Sequence, residues 1–164
     1  MIAFRRVAPW VAIAVVIALA DQASKAAVSA SLRLGEVRGV TGFFNLVLAH
    51  NRGAAFSFLS DAGGWQRLLF IGIAVFATAF IVAMLARHSE ERVFSAGLAL
   101  ILGGALGNLW DRIVLGYVVD FLDFHAYGWH FWAFNLADSA ITVGAGLLIL
   151  DSVRSSGGRA ESLK

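Results

Sequence analysis

The stretch FSAGLALILGGALGNLWDRIVL, Phe94 to Leu115, decides the fold. It is long enough to cross about 30 Å of hydrocarbon, which takes about 20 helical residues. Its amide and charged members Asn108, Asp111 and Arg112 are gathered at its C-terminal end. Three further runs of the same kind lie near Trp10 to Val28, Leu68 to Ala86 and Phe134 to Val153. Apolar residues make up 59% of the 164-residue chain against 15% charged, and the mean hydropathy is +0.77. A soluble domain needs more polar cover than that, so a lipid-facing exterior is the simplest account. The sequence is therefore read as one integral membrane domain over 1–164, mainly α, with four transmembrane helices.

Four spans put both termini on the same side. Arg5 and Arg6 precede the first run, Arg87 and Arg92 bracket the link between the second and third, and Arg154, Arg159 and Lys164 follow the fourth. The positive-inside rule makes these sites cytoplasmic. Arg33, Arg38 and Arg52 run against the rule, because they fall in a segment that must then lie outside. The other outer segment, Gly116 to Ala133, holds Asp120 and Asp123 and no Lys or Arg. It is expected to be a loop whose Tyr127, Trp129, Phe131 and Trp132 form an interfacial aromatic belt.

A competing reading makes the N-terminus a cleavable signal peptide, with Ala18-Leu19-Ala20 as the cleavage site. Apolar and small residues continue to Ala30, and Asp21 and Lys25 have the i, i+4 spacing of a pair on one helix face. The first run is accordingly expected to stay as an uncleaved helix, with Pro9 at its start. Between the first two spans, residues 31–60 are rich in glycine and carry short apolar stretches such as Phe43 to Leu48. A small sheet on the outer membrane surface, built from Leu32 to Phe58, fits better than a helix. The polar tail, 154–164, is expected to be disordered.

Composition also narrows the chemistry. The formal charge of +2 comes from arginines scattered at segment ends, with no basic face for nucleic acid. The absence of cysteine excludes disulfides, thiolate metal sites and a cysteine nucleophile. Ionisable residues at membrane depth each cost about 2.5 to 3.5 kcal/mol on insertion scales, so they require a partner or a task. Here Asp21 and Lys25, Asn108, Asp111 and Arg112, and Asn135 and Asp138 fall at one end of their helices, with Asp120, Asn51 and Arg52 added from the outer segments.

Asp120 and Asp138 are the pair of interest, since two neighbouring carboxylates resist joint ionisation and can divide acid and base work. The start of a helix favours an ionised Asp138, whereas the apolar neighbours in Val118-Val119-Asp120-Phe121 favour a protonated Asp120. Simpler readings compete. Asn135 and Asp138 have the spacing of a helix cap, and Asp21 with Lys25 and Asp111 with Arg112 suit charge neutralisation. Gly103 and Gly107 have the spacing of close helix packing. Asp120, Asp123, His125 and His130 form a loose cluster that matches no familiar metal motif. Ser24, Ser57 and Ser139 lack the G-x-S-x-G turn of a serine nucleophile. A proton or cation path would need polar groups at several depths, and a non-catalytic assembly factor using the sheet for docking stays open.

Five blocks then line up in order: Asp21-Gln22-x-x-Lys25, Asn51-Arg52-Gly53-Ala54-Ala55-Phe56, Gly103-Gly104-Ala105-x-Gly107-Asn108-x-x-Asp111-Arg112, Val118-Val119-Asp120-Phe121 and Phe134-Asn135-x-Ala137-Asp138. In these blocks the chain closely resembles the bacterial lipoprotein signal peptidases, also called signal peptidase II. The resemblance implies a multi-pass inner-membrane aspartyl endopeptidase with cytoplasmic termini, a small extracytoplasmic β-cradle and an active site near the extracytoplasmic face. It implies cleavage of diacylglyceryl-modified prolipoproteins just before the lipidated cysteine, with no metal and no cofactor. Asp120 and Asp138 match the family's catalytic dyad. Asn51, Asn108, Arg112 and Asn135 match polar residues lining the site, and Asp21 and Lys25 match a supporting pair. The implied partners are the lipid-modified substrate and membrane lipid, with the enzyme working as a monomer.

Overall fold

The computed structural model describes residues 2–53 and 63–161, with side chains described for 6–53 and 63–155. Ser57 and the far end of the expected sheet lie outside those residues. Four helices, α1 (Ile2–Ser31), α2 (Trp65–His88), α3 (Arg92–Val114) and α4 (Leu136–Glu161), are long and apolar enough to cross a membrane. They surround α3. Its most apolar stretch is 56% buried, against 22%, 11% and 17% for α1, α2 and α4, so the outer three present most of their surface to lipid. Side chains such as Val16, Phe76 and Val153 are exposed there, as a lipid-facing helix requires.

Glycine lets the helices approach. A Cβ on Gly103 would meet the Ala14 carbonyl and Ile17 of α1, and one on Gly107 would lie 2.5 Å from the Asp21 carboxylate. A Cβ on Gly104 would collide with the Ala137 carbonyl of α4. The Gly103/Gly107 pattern therefore seats α1, while Gly97 and Gly104 seat α4. Ala14, Ile81, Leu85, Leu98 and Leu102 fill the space among the helices. Trp10 Nε1 donates to the Ser89 carbonyl at 3.0 Å and ties α1 to the α2–α3 turn.

A four-stranded antiparallel sheet covers the other end of the bundle, in the order β1 (Val37–Thr41), β2 (Phe44–Asn51), β3 (Val118–Ala126), β4 (Trp129–His130). Val28, Leu32, Leu48, Val119 and Phe121 form the core beneath it. The segment 116–133, expected as a loop, thus supplies two of the described strands. Its Val118 to His125 run pairs with β2, Asn51 opposite Val118 and Ala49 opposite Asp120, and Val118 to Phe121 are all buried, so both faces of the strand are covered there. Tyr127 (φ 50°) and Gly128 (φ 82°) make the tight reversal into β4, a backbone shape that suits glycine at the second position.

Helix ends also differ from expectation. α1 begins at Ile2, so Pro9 sits inside it and withdraws one backbone donor near its start. α4 begins at Leu136, because Phe134 is occupied by a bridge to Leu122 of β3. At its other end α4 continues to Glu161, so the tail expected to be disordered is helical that far, with no proline to stop it.

Candidate active site

β3 and the start of α4 place two carboxylates in one cavity. Asp120 and Asn51 face the same side of the paired strands, and Asn51 Nδ2 donates to Asp120 Oδ2 at 3.0 Å. Asn135, fully buried just before α4, donates from Nδ2 to Asp120 Oδ1 at 2.7 Å. On the α4 side, Asn108 Nδ2 donates to Asp138 Oδ1 at 2.8 Å. The Asn135 backbone N–H donates to Asp138 Oδ2 at 3.3 Å, while the Asp138 N–H donates to Asn135 Oδ1 at 2.9 Å. That exchange is a reciprocal helix cap. The capping reading of Asn135 and Asp138 therefore holds, and the same asparagine reaches the second carboxylate.

Among the described residues no Lys, Arg or His nitrogen lies within ion-pair distance of Asp120 or Asp138. Burial, and after it the negative charge of Asp138, push the Asp120 carboxyl up to about 7, against the donors from Asn51 and Asn135. Both carboxylates line a cavity of about 680 Å³ whose walls include His50, Asn108, Arg112, Trp132, Phe134 and Ile141. The His50 ring stacks on Tyr117 at 3.8 Å. Burial, with Arg52 nearby, lowers the His50 titration from its usual range.

A second polar cluster lies behind the first. Lys25 Nζ is 2.7 Å from Asp21 Oδ2 and 2.8 Å from Asp111 Oδ2, and it donates to Asn108 Oδ1 at 3.0 Å. Asp111 thus pairs with Lys25 and not with its sequence neighbour Arg112, since adjacent helical residues point in different directions. Arg112 instead donates to the Asn108 and Gly53 carbonyls at 3.3 and 3.0 Å and lies over the Phe70 ring. Both aspartates also hold backbone: Asp21 Oδ1, the oxygen turned away from Lys25, accepts from Ala137 N–H at 2.9 Å, and Asp111 Oδ2, the oxygen that meets Lys25, accepts from Val119 N–H at 3.1 Å. Those amides immediately precede Asp138 and Asp120 in sequence.

Gln22, named in the first block but given no role there, donates to Asp111 Oδ1 at 2.8 Å and to the Gly107 carbonyl at 3.1 Å. Its place one residue after Asp21, within a span, was the available signal. The loose His/Asp cluster divides on strand parity, because Asp123 and His125 face away from Asp120. His130 Nδ1 sits 3.0 Å from Asp123 Oδ2, which also accepts from Asn45 at 2.8 Å, and His125 stacks on His130. The Ser24 and Ser139 hydroxyls donate to carbonyls one turn back in their own helices.

Four spanning helices with a buried polar end and an open carboxylate cavity describe a multi-pass membrane protein built for chemistry at one end of its bundle. The sequence model of the family described as signal peptidase (SPase) II matches residues 13–154. Curated proteins named lipoprotein signal peptidase are similar to the chain. The one from Burkholderia multivorans is 58% identical over 147 residues, covering 90% of this chain and 89% of its own. The one from Ralstonia nicotianae is 58% identical over 148 residues, covering 90% and 86%. Two solved bacterial membrane enzymes share the fold. One has a TM-score of 0.83 at 29% identity, covering 92% of this chain and 91% of its own. The other has a TM-score of 0.76 at 30% identity, covering 87% and 91%. The chain belongs to the signal peptidase II family and is a peptidase.

Proposed function

We propose that this peptidase removes signal peptides from diacylglyceryl-modified prolipoproteins, cutting just before the lipidated cysteine, with Asp120 and Asp138 as its acid–base pair. The observation that carries the reading is that these two carboxylates share one cavity and, among the described residues, neither has a cationic nitrogen within ion-pair distance, while the neighbouring buried aspartates Asp21 and Asp111 both close on Lys25. The names of the similar curated proteins support the substrate class.

In the proposed reaction, ionised Asp138 takes a proton from a water held between the carboxylates, and the water oxygen bonds to the scissile carbonyl carbon. Protonated Asp120 donates to the carbonyl oxygen as charge develops there. Collapse of the tetrahedral intermediate breaks the C–N bond as Asp138 passes the proton it took from water to the amine of the departing cysteine, and Asp120 recovers its proton from the hydroxyl that becomes the new carboxyl group. The high position of the Asp120 titration supports its acid role near neutral pH, and the helix start supports an ionised Asp138. Asn51, Asn108 and Asn135 orient the pair, and Arg112 anchors the Gly53 backbone beside it. No metal or organic cofactor enters these steps.

The arginines flanking the turns support cytoplasmic termini and an outer-facing site, hence a bacterial inner membrane that substrate enters from the lipid side. All proposed groups come from one chain, so a monomer suffices. The test is product mass. Purified enzyme given a diacylglyceryl-modified precursor should release a product whose first residue is the lipidated cysteine, and the unlipidated precursor should stay intact. Equal cleavage of both, or cleavage elsewhere, would contradict the proposed specificity.

A further inference from the structure

The hydrogen bonds that reach Asp138 run in one direction, and that direction starts at Lys25. An ammonium group has three donors and no acceptor. Lys25 uses them on Asp21 Oδ2, Asp111 Oδ2 and Asn108 Oδ1. The Asn108 amide must therefore turn its carbonyl toward Lys25, which leaves its NH2 facing Asp138 Oδ1 at 2.8 Å. Asn135 Nδ2 also points at Asn108 Oδ1, at 3.3 Å, and reinforces the same orientation. Lys25 is 3% exposed and does not line the cavity, so it has no route to substrate.

We infer that Lys25 is a positioning residue for the carboxylate pair: its ammonium fixes the Asn108 amide so that the NH2 holds Asp138 in the form that accepts the water's proton. The inference rests on the acid–base reading of Asp120 and Asp138. The charged groups facing Asp138 are Asp120 from β3, Arg112 from α3 and Lys25 from α1, with Asp21 and Asp111 behind Lys25. Without Lys25 a cation is lost and the Asn108 amide is free to turn its carbonyl toward Asp138. In Lys25→Met both changes work against the ionised carboxylate; in a variant that also loses Asp111 the charge is balanced and the turned amide alone remains, so the acid limb of its pH–rate profile should still move to higher pH. A lysine that only neutralises Asp21 and Asp111 would leave that limb in place.

The experiment compares Lys25→Arg, Lys25→Met and the double variant Lys25→Met/Asp111→Asn. The double variant keeps the cluster at one net negative charge, as in the parent, so that folding survives the loss of the lysine. Thermal unfolding is measured first, then kcat, KM and the pH profile on a diacylglyceryl-modified precursor. The expected result for the double variant is a fall in kcat of roughly 10²-fold with KM little changed. Its acid limb should rise by about one pH unit, while Lys25→Arg, still a pure donor, keeps the limb near that of the parent. A folded double variant with an unmoved limb would overturn the inference. So would a double variant that unfolds as readily as Lys25→Met, because the lysine's task would then be to hold the helices. Asp120→Asn and Asp138→Asn, run alongside, separate the two readings: if either stays active the dyad fails, and if both are inactive while the limb is unmoved, only the role of Lys25 fails.

Discussion

Two pairs of aspartates lie at the same end of this bundle and meet opposite fates. Asp21 and Asp111 close on one lysine ammonium and spend their remaining oxygens on backbone and Gln22 donors. Among the described residues, the donors to Asp120 and Asp138 are amides, and both carboxylates open onto a cavity. The residue type is the same, so the difference lies in the counter-charge and in access. A paired, sealed carboxylate fixes geometry, whereas an unpaired one beside a second carboxylate keeps a proton near neutral pH. The two pairs are also joined, since the amides held by the sealed pair belong to the residues just before the open pair.

The contrast breaks most severely at Asp21. Asp21→Ala leaves Lys25 short of a partner and the Ala137 N–H without its acceptor, and removing one partner of a buried ion pair costs about 3–5 kcal/mol. Thermal unfolding in detergent should show that loss. Gly104→Ala strains the join between the pairs, because its methyl meets the Ala137 carbonyl. Overpacking of this kind costs about 1–3 kcal/mol, and the displaced α4 start should lower kcat more than it lowers the melting temperature.

The open pair is sharpened by pH. If Asp120 must be protonated, the rate falls as pH rises past about 7, the position of its titration. Asn51→Ala removes a donor that favours the ionised form, so the descending limb should move up by about half to one pH unit, read from kcat/KM across pH 5 to 9. The smallest effect is expected at His130, whose contact with Asp123 is largely exposed on the histidine side. His130→Ala should change stability by less than about 1 kcal/mol, and cleavage rates should stay within about twofold of the parent, since strand parity keeps this contact away from Asp120.

The four spans and the crowding of polar residues at one end were legible in the sequence, because apolar run length is a local property. β3 was not. Val118 to His125 lacks the alternation that would mark a strand, and its partner β2 lies some seventy residues earlier, so only the folded chain brings them together. The partner of Asp111 was hidden for the same reason: Arg112 is next in sequence, but Lys25 arrives from another helix at 2.8 Å. Asn135 shows a different limit. Its spacing from Asp138 announced a cap, and nothing local revealed that its amide also reaches Asp120. Helix ends were set by neighbours as well, Phe134 being drawn into the sheet.

The most direct measurement is the rate at which Asp120→Asn and Asp138→Asn, each verified as folded, cleave a diacylglyceryl-modified precursor. Both substitutions keep the shape of the side chain and remove its proton chemistry. The acid–base assignment requires each rate to fall by roughly 10³-fold or more with unfolding temperatures close to the parent. A folded variant of either kind that still cleaves at a substantial fraction of the parent rate would contradict it.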